Sequence, residues 1–154
     1  MSVFLANEQT EPVDTVELRN LAELVLAEEG FPSATEVTVL LITDEEMAGY
    51  NERFLDRTGP TDVLAFPVEE LLPGVVPDYD PHGPPLIIGD VLVAPSYVRR
   101  QAEEMDVAFE DEIALMVTHG ILHLLGYLHE EEDDAARMER RETDLLARVG
   151  RQRR

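Results

Sequence analysis

Apolar positions along this chain change their period several times, and each change marks an element. Residues 13–29 (VDTVELRNLAELVLAEE) carry Val13, Val16, Leu18, Leu21, Leu24, Val25 and Leu26 close to helical spacing, and Gly30 closes the run. Residues 36–43 (EVTVLLIT) are β-branched and nearly continuous in apolarity, the pattern of a strand covered on both faces. Residues 2–6, 62–67 (DVLAFP) and 86–94 (LIIGDVLVA) predict three more strands. Thr43 and Asp44 read as an N-cap for a helix over 44–54, and further helices are expected at 95–105, 109–125 and 131–148. TGP at 58–60 is a breaker, and the Pro- and Gly-rich 73–85 (PGVVPDYDPHGPP) must be a loop.

Strands alternating with helices predict an α+β fold with a small mixed sheet of about four strands packed with helices. Strands 2–6, 36–43 and 86–94 can run parallel through helical crossovers, with 62–67 as an antiparallel edge. No repeat or interdomain linker interrupts the chain, so residues 1–148 are expected as one domain. Residues 149–154 are expected as a basic, disordered tail.

Composition narrows the chemistry. With no cysteine, disulfides, thiolate zinc sites and iron–sulfur clusters are excluded, so any zinc must be held by histidine and carboxylate. No apolar stretch approaches the ~20 residues of a membrane helix and the N-terminus carries no signal pattern, so no membrane role and a cytoplasmic location are expected. The formal charge of −21 opposes non-specific attraction to phosphate backbones. All 12 basic residues are arginine, the side chain suited to gripping phosphate through two donors.

The segment His119–His129, HGILHLLGYLH, holds three of the 4 histidines. On a helix over 109–125, His119 and His123 leave the same face one turn apart. Gly126 falls where helices commonly end, and a turn there brings His129 back towards the pair. Three neutral imidazoles around one zinc ion leave a tetrahedral position for water, the arrangement of a catalytic site. The remaining histidine, His82, lies in the Pro/Gly loop and is read as an exposed residue without a role.

The spacing H-x-x-x-H-x-x-G-x-x-H is that of metzincin proteases, which need Glu directly after the first His as general base. Here that position is Gly120, and Met138 reads as a core residue of a helix rather than as a Met-turn. A metal site is expected; peptide hydrolysis is not.

Three blocks, GPTDVLAFP at 59–67, IIGDVLVA at 87–94 and HGILHLLGYLH at 119–129, resemble in order and spacing the YbeY-type endoribonucleases, metal-dependent bacterial hydrolases acting in ribosomal RNA maturation. The resemblance covers roughly residues 36–148. It implies a mixed sheet backed by helices, zinc ligands at His119, His123 and His129, and Thr61 and Asp62 near the metal. It further implies a single-stranded RNA substrate, in particular the 3′ end of the small-subunit rRNA, with small-subunit ribosomal proteins and a ribosome-associated GTPase as partners. Two positions depart from the family pattern. An active-site Arg found in many members is Leu55 here, leaving Arg57 to supply the guanidinium. An Asp before the third ligand is Leu128, so a carboxylate orienting a ligand must come from elsewhere, with Asp62 and Asp90 as candidates. The catalytic candidates are therefore Arg57 and Asp62. The competing class is a non-catalytic ribosome-assembly factor with a structural zinc, which a fourth protein ligand would favour.

Overall fold

The computed structural model describes residues 3–154, so Ser2 of the expected first strand lies outside the described residues. Four strands, β1 (Val3–Asn7), β2 (Glu36–Leu41), β3 (Val63–Pro67) and β4 (Ile87–Val93), form one sheet in the order β1-β2-β4-β3. β1, β2 and β4 run parallel, with Leu5 opposite Val39 and Val39 opposite Val91. β3 is the antiparallel edge, pairing Leu64 with Leu92. The fold is the α+β arrangement that the strand periods predict.

Among the described residues five helices complete it: α1 (Thr15–Glu28), α2 (Asp44–Leu55), α3 (Pro95–Met105), α4 (Phe109–Leu124) and α5 (Glu132–Ala147). Local chemistry explains their boundaries. Thr43 and Glu46 close a reciprocal capping box at the start of α2, and Pro95 occupies the first turn of α3, where its missing N–H costs nothing.

Side-chain alternation assigns two faces to the sheet. Leu64 and Leu92 point to a small cluster with Ile42 and Met47 under α2. Val91 and Val93 point the other way, into the main core with α1, α4 and α5. β2 alternates buried and half-buried positions, so it is covered less completely than its apolar run predicts. α4 packs on β3, β4, α1, α3 and α5, which is why its sequence is apolar almost all round. Leu122, Leu124 and Ile121 are fully buried there, each worth roughly 1.5–3 kcal/mol by transfer from water.

Residues 149–154 correct the expectation of a disordered tail. Gly150 turns the chain in a left-handed conformation (φ 73°), and the Arg151 N–H donates to the Leu146 carbonyl at 2.9 Å. Arg151 then grips Glu17 through two donors, while Arg153 and Arg154 pair with Glu142 and Glu112. The physical reason lies in those partners. Glu112 and Glu142 are each only 1% exposed, and a buried carboxylate needs a counter-charge to remain ionised. The arginines of the tail provide it.

Candidate metal centre

α4 carries His119 and His123 one turn apart on the same face, half-buried against the rest of the fold. The helix ends at Leu124, and the Tyr127 N–H returns to the Leu122 carbonyl at 3.0 Å. Gly126 makes that return possible, for two reasons. Its φ is 101°, and a Cβ there would collide with the Leu71 carbonyl. The turn brings the exposed His129 over the helix. Ring centroids then lie 4.4 Å (His119–His123), 4.6 Å (His123–His129) and 5.2 Å (His119–His129) apart. One ligating nitrogen from each ring lies within 4.8 Å of the others. Among the described residues no fourth histidine or carboxylate joins this group, and His82 stays exposed in its loop.

Hydrogen bonds fix which nitrogen faces the centre. His123 Nδ1 lies 2.8 Å from the Tyr127 carbonyl oxygen. A carbonyl only accepts, so Nδ1 carries the proton and Nε2 keeps its lone pair. His119 Nδ1 lies 2.7 Å from Glu142 Oε2 on α5, which fixes its tautomer in the same way. Burial, reinforced by the neighbouring His119, lowers the His123 pKa to about 4, so this imidazole is neutral at pH 7 and free to bind a cation. Burial alone would raise the Glu142 pKa. Hydrogen bonds from His119 and Arg153 outweigh it and hold the carboxyl below its usual range. Neutral nitrogen donors with oriented lone pairs suit a borderline-soft divalent ion such as zinc.

The centre sits in a cleft of about 280 Å³ between β3 and α4. Arg57, Thr61, Asp62, Arg153 and Arg154 also line it. Asp62 is outside the ligand group: Oδ1 accepts from the Val63 N–H at 2.7 Å and Oδ2 from Gln101 at 3.2 Å. Arg57 is exposed at the cleft and enters no ion pair among the described residues. Asp90 is exposed on β4 and takes no part in orienting a ligand. Leu55 and Leu128 are both exposed.

Gly120 has a packing reason. A Cβ there would lie 2.5 Å from Val91 Cγ1 and 3.1 Å from Val63 Cγ2, so α4 approaches the sheet as closely as it does only because this residue lacks a side chain. The general-base Glu of a zincin has no room. Gly120→Glu is therefore expected to destabilise the fold by about 3 kcal/mol or more, without creating a peptidase. Denaturant unfolding and a casein assay test this; near-parental stability would refute the packing argument.

Sequence reasoning missed Glu142, the carboxylate that orients His119. A signal was present, since Glu142 sits on the same stripe of α5 as the buried Met138, Leu145 and Leu146. Gln101 was missed too; it bridges Asp62 and Glu112, at 2.7 Å from the latter.

Comparison with known proteins agrees with this geometry. The family model described as Endoribonuclease YbeY matches residues 4–150. Endoribonuclease YbeY of Acidothermus cellulolyticus is 42% identical over 147 residues, covering 95% of this chain and 90% of that protein. Endoribonuclease YbeY of Thermobifida fusca is 42% identical over 147 residues, covering 96% and 93%. The solution structure of TM1509 from Thermotoga maritima has a TM-score of 0.62 to this fold at 25% identity, covering 96% of this chain and 91% of that one. On a match spanning nearly its whole length, the chain belongs to the Endoribonuclease YbeY family.

Proposed function

We propose that this protein is a zinc-dependent endoribonuclease that hydrolyses single-stranded RNA in the cleft between β3 and α4. The observation that carries the reading is the convergence of His119, His123 and His129, two of them with Nδ1 already engaged. The names of the relatives support the substrate class.

The three imidazoles would hold the ion, which would supply Lewis acidity to a phosphodiester and to its attacking nucleophile. Arg57, unpaired at the cleft, clamps a non-bridging phosphate oxygen. Asp62, the cleft-lining carboxylate outside any ion pair among the described residues, accepts the proton of the attacking hydroxyl. The substrate in the cell is ribosomal RNA, including the 3′ end of the small-subunit rRNA, and the enzyme acts in the cytoplasm. A charge of −21 disfavours capture of free RNA, so a partner presents the strand, and the family resemblance points to small-subunit ribosomal proteins and a ribosome-associated GTPase for that part. No helix among the described residues is long and apolar enough to cross a membrane.

Zinc-loaded protein is expected to cleave labelled single-stranded RNA, to lose the activity on chelation and to regain it with zinc. Equal cleavage before and after chelation would point to a contaminating nuclease. Product ends separate attack by water (5′-phosphate and 3′-hydroxyl) from attack by the RNA's own 2′-hydroxyl (2′,3′-cyclic phosphate).

A further inference from the structure

The tail folded against the cleft has more to offer than the neutralisation of two carboxylates. We propose that Arg154 is a substrate-contacting residue, held at the cleft by Glu112 so that the rest of its guanidinium binds a phosphate of the RNA. This rests on the ribonuclease reading above and names a further binding group for it.

Three observations carry it. First, Arg154 lines the same cleft as the histidine cluster, together with Arg57, Thr61 and Asp62. Second, its Nε alone serves Glu112, donating at 2.9 Å to Oε1 and 3.0 Å to Oε2. Its two terminal nitrogens make no hydrogen bond among the described residues. A guanidinium is planar, so fixing Nε fixes the direction of the remaining donor edge, the edge that fits a phosphate. Third, the segment leading to Arg154 is anchored at two points. Arg151 is tied to Glu17 at 2.6 and 3.0 Å, and Arg153 donates to Glu142 at 2.9 Å, the carboxylate that also holds His119.

The charge around the cleft supports the same conclusion. The guanidiniums of Arg57, Arg153 and Arg154 are matched there by the carboxylates of Asp62, Glu142 and Glu112. A bound divalent ion tips this balance to positive, giving an otherwise acidic protein one place where a phosphodiester is welcome. Arg154 also reaches Asp62 through a continuous path, since Gln101 donates to both Glu112 and Asp62. Asp62 is therefore tied to the tail through Gln101 and Glu112.

The alternative is that Arg154 serves only as a counter-ion for Glu112. The double variant Glu112→Gln/Arg154→Gln separates the two. It removes one charge of each sign, leaves the net charge unchanged, and keeps an amide hydrogen bond in place of the ion pair. Arg154→Lys is the companion, retaining a cation for Glu112 without the second donor edge. Binding of a 2′-O-methyl single-stranded RNA, which resists 2′-hydroxyl attack, is followed by fluorescence anisotropy across a salt series. Thermal melting and the visible spectrum of the cobalt-substituted protein report the fold and the histidine centre.

With melting and cobalt spectrum unchanged, both variants are expected to bind about tenfold more weakly at low salt. The slope of log affinity against log salt should fall by about 0.7 in the double variant, the value for one lost contact to a single strand. Parental affinity and slope in both variants, while the parent binds and cleaves RNA, would overturn the role of Arg154 and leave the ribonuclease reading standing. A parent that neither binds nor cleaves RNA would overturn both.

Discussion

Replacing His123 by alanine is expected to lower RNA cleavage by at least about a thousandfold, because two imidazoles cannot hold zinc as three do. The loss should come from the ion and not from the fold. His123 is half-buried, and its one protein hydrogen bond, to the Tyr127 carbonyl, is worth only about 1 kcal/mol. The variant should therefore keep its circular dichroism and melt within a few degrees of the parent, while zinc competes poorly against a chromogenic chelator. Undiminished zinc affinity would remove His123 from the centre and with it the proposed mechanism.

The second large effect belongs to Glu142. It lies at the junction of α5, the tail and His119, buried to 1% exposure and accepting from His119 Nδ1 at 2.7 Å and Arg153 Nε at 2.9 Å. Glu142→Ala removes the buried carboxylate that both donors share and is expected to cost about 3 kcal/mol in stability. Glu142→Gln keeps the volume and one acceptor. It should fold, yet bind zinc roughly 10–100-fold more weakly because the ligand imidazole loses its anionic partner. Urea unfolding of the alanine variant and zinc titration of the glutamine variant read the two effects separately. If the glutamine variant binds zinc as the parent does, the carboxylate serves packing alone.

The sheet was legible because each strand's pattern is local: apolar β-branched runs bounded by breakers at 58–60 and 73–85, with helices between the parallel members. The histidine trio was legible for the same reason, all three lying within one helix and the turn after it. The groups around it were harder to read because distant packing gives them meaning. Glu142 reaches His119 from 23 residues away, and Arg154 reaches Glu112 from 42. By itself, RVGRQRR reads as a solvated basic end; beside two buried carboxylates it becomes part of the structure. Gly120 was correctly read as the absence of a base, while the closeness of Val91 that demands glycine there is a fact of tertiary packing.

The three imidazoles are unequally mounted. Two ride on α4, the helix that every other layer of the main core touches, and one projects from an exposed turn beyond Gly126. Amide exchange along α4 should accordingly track global unfolding, while the segment around His129 opens at far lower free energy. The three anchors of an ion held here would therefore differ in firmness, with His129 the first to yield and the two helical nitrogens secured by the core.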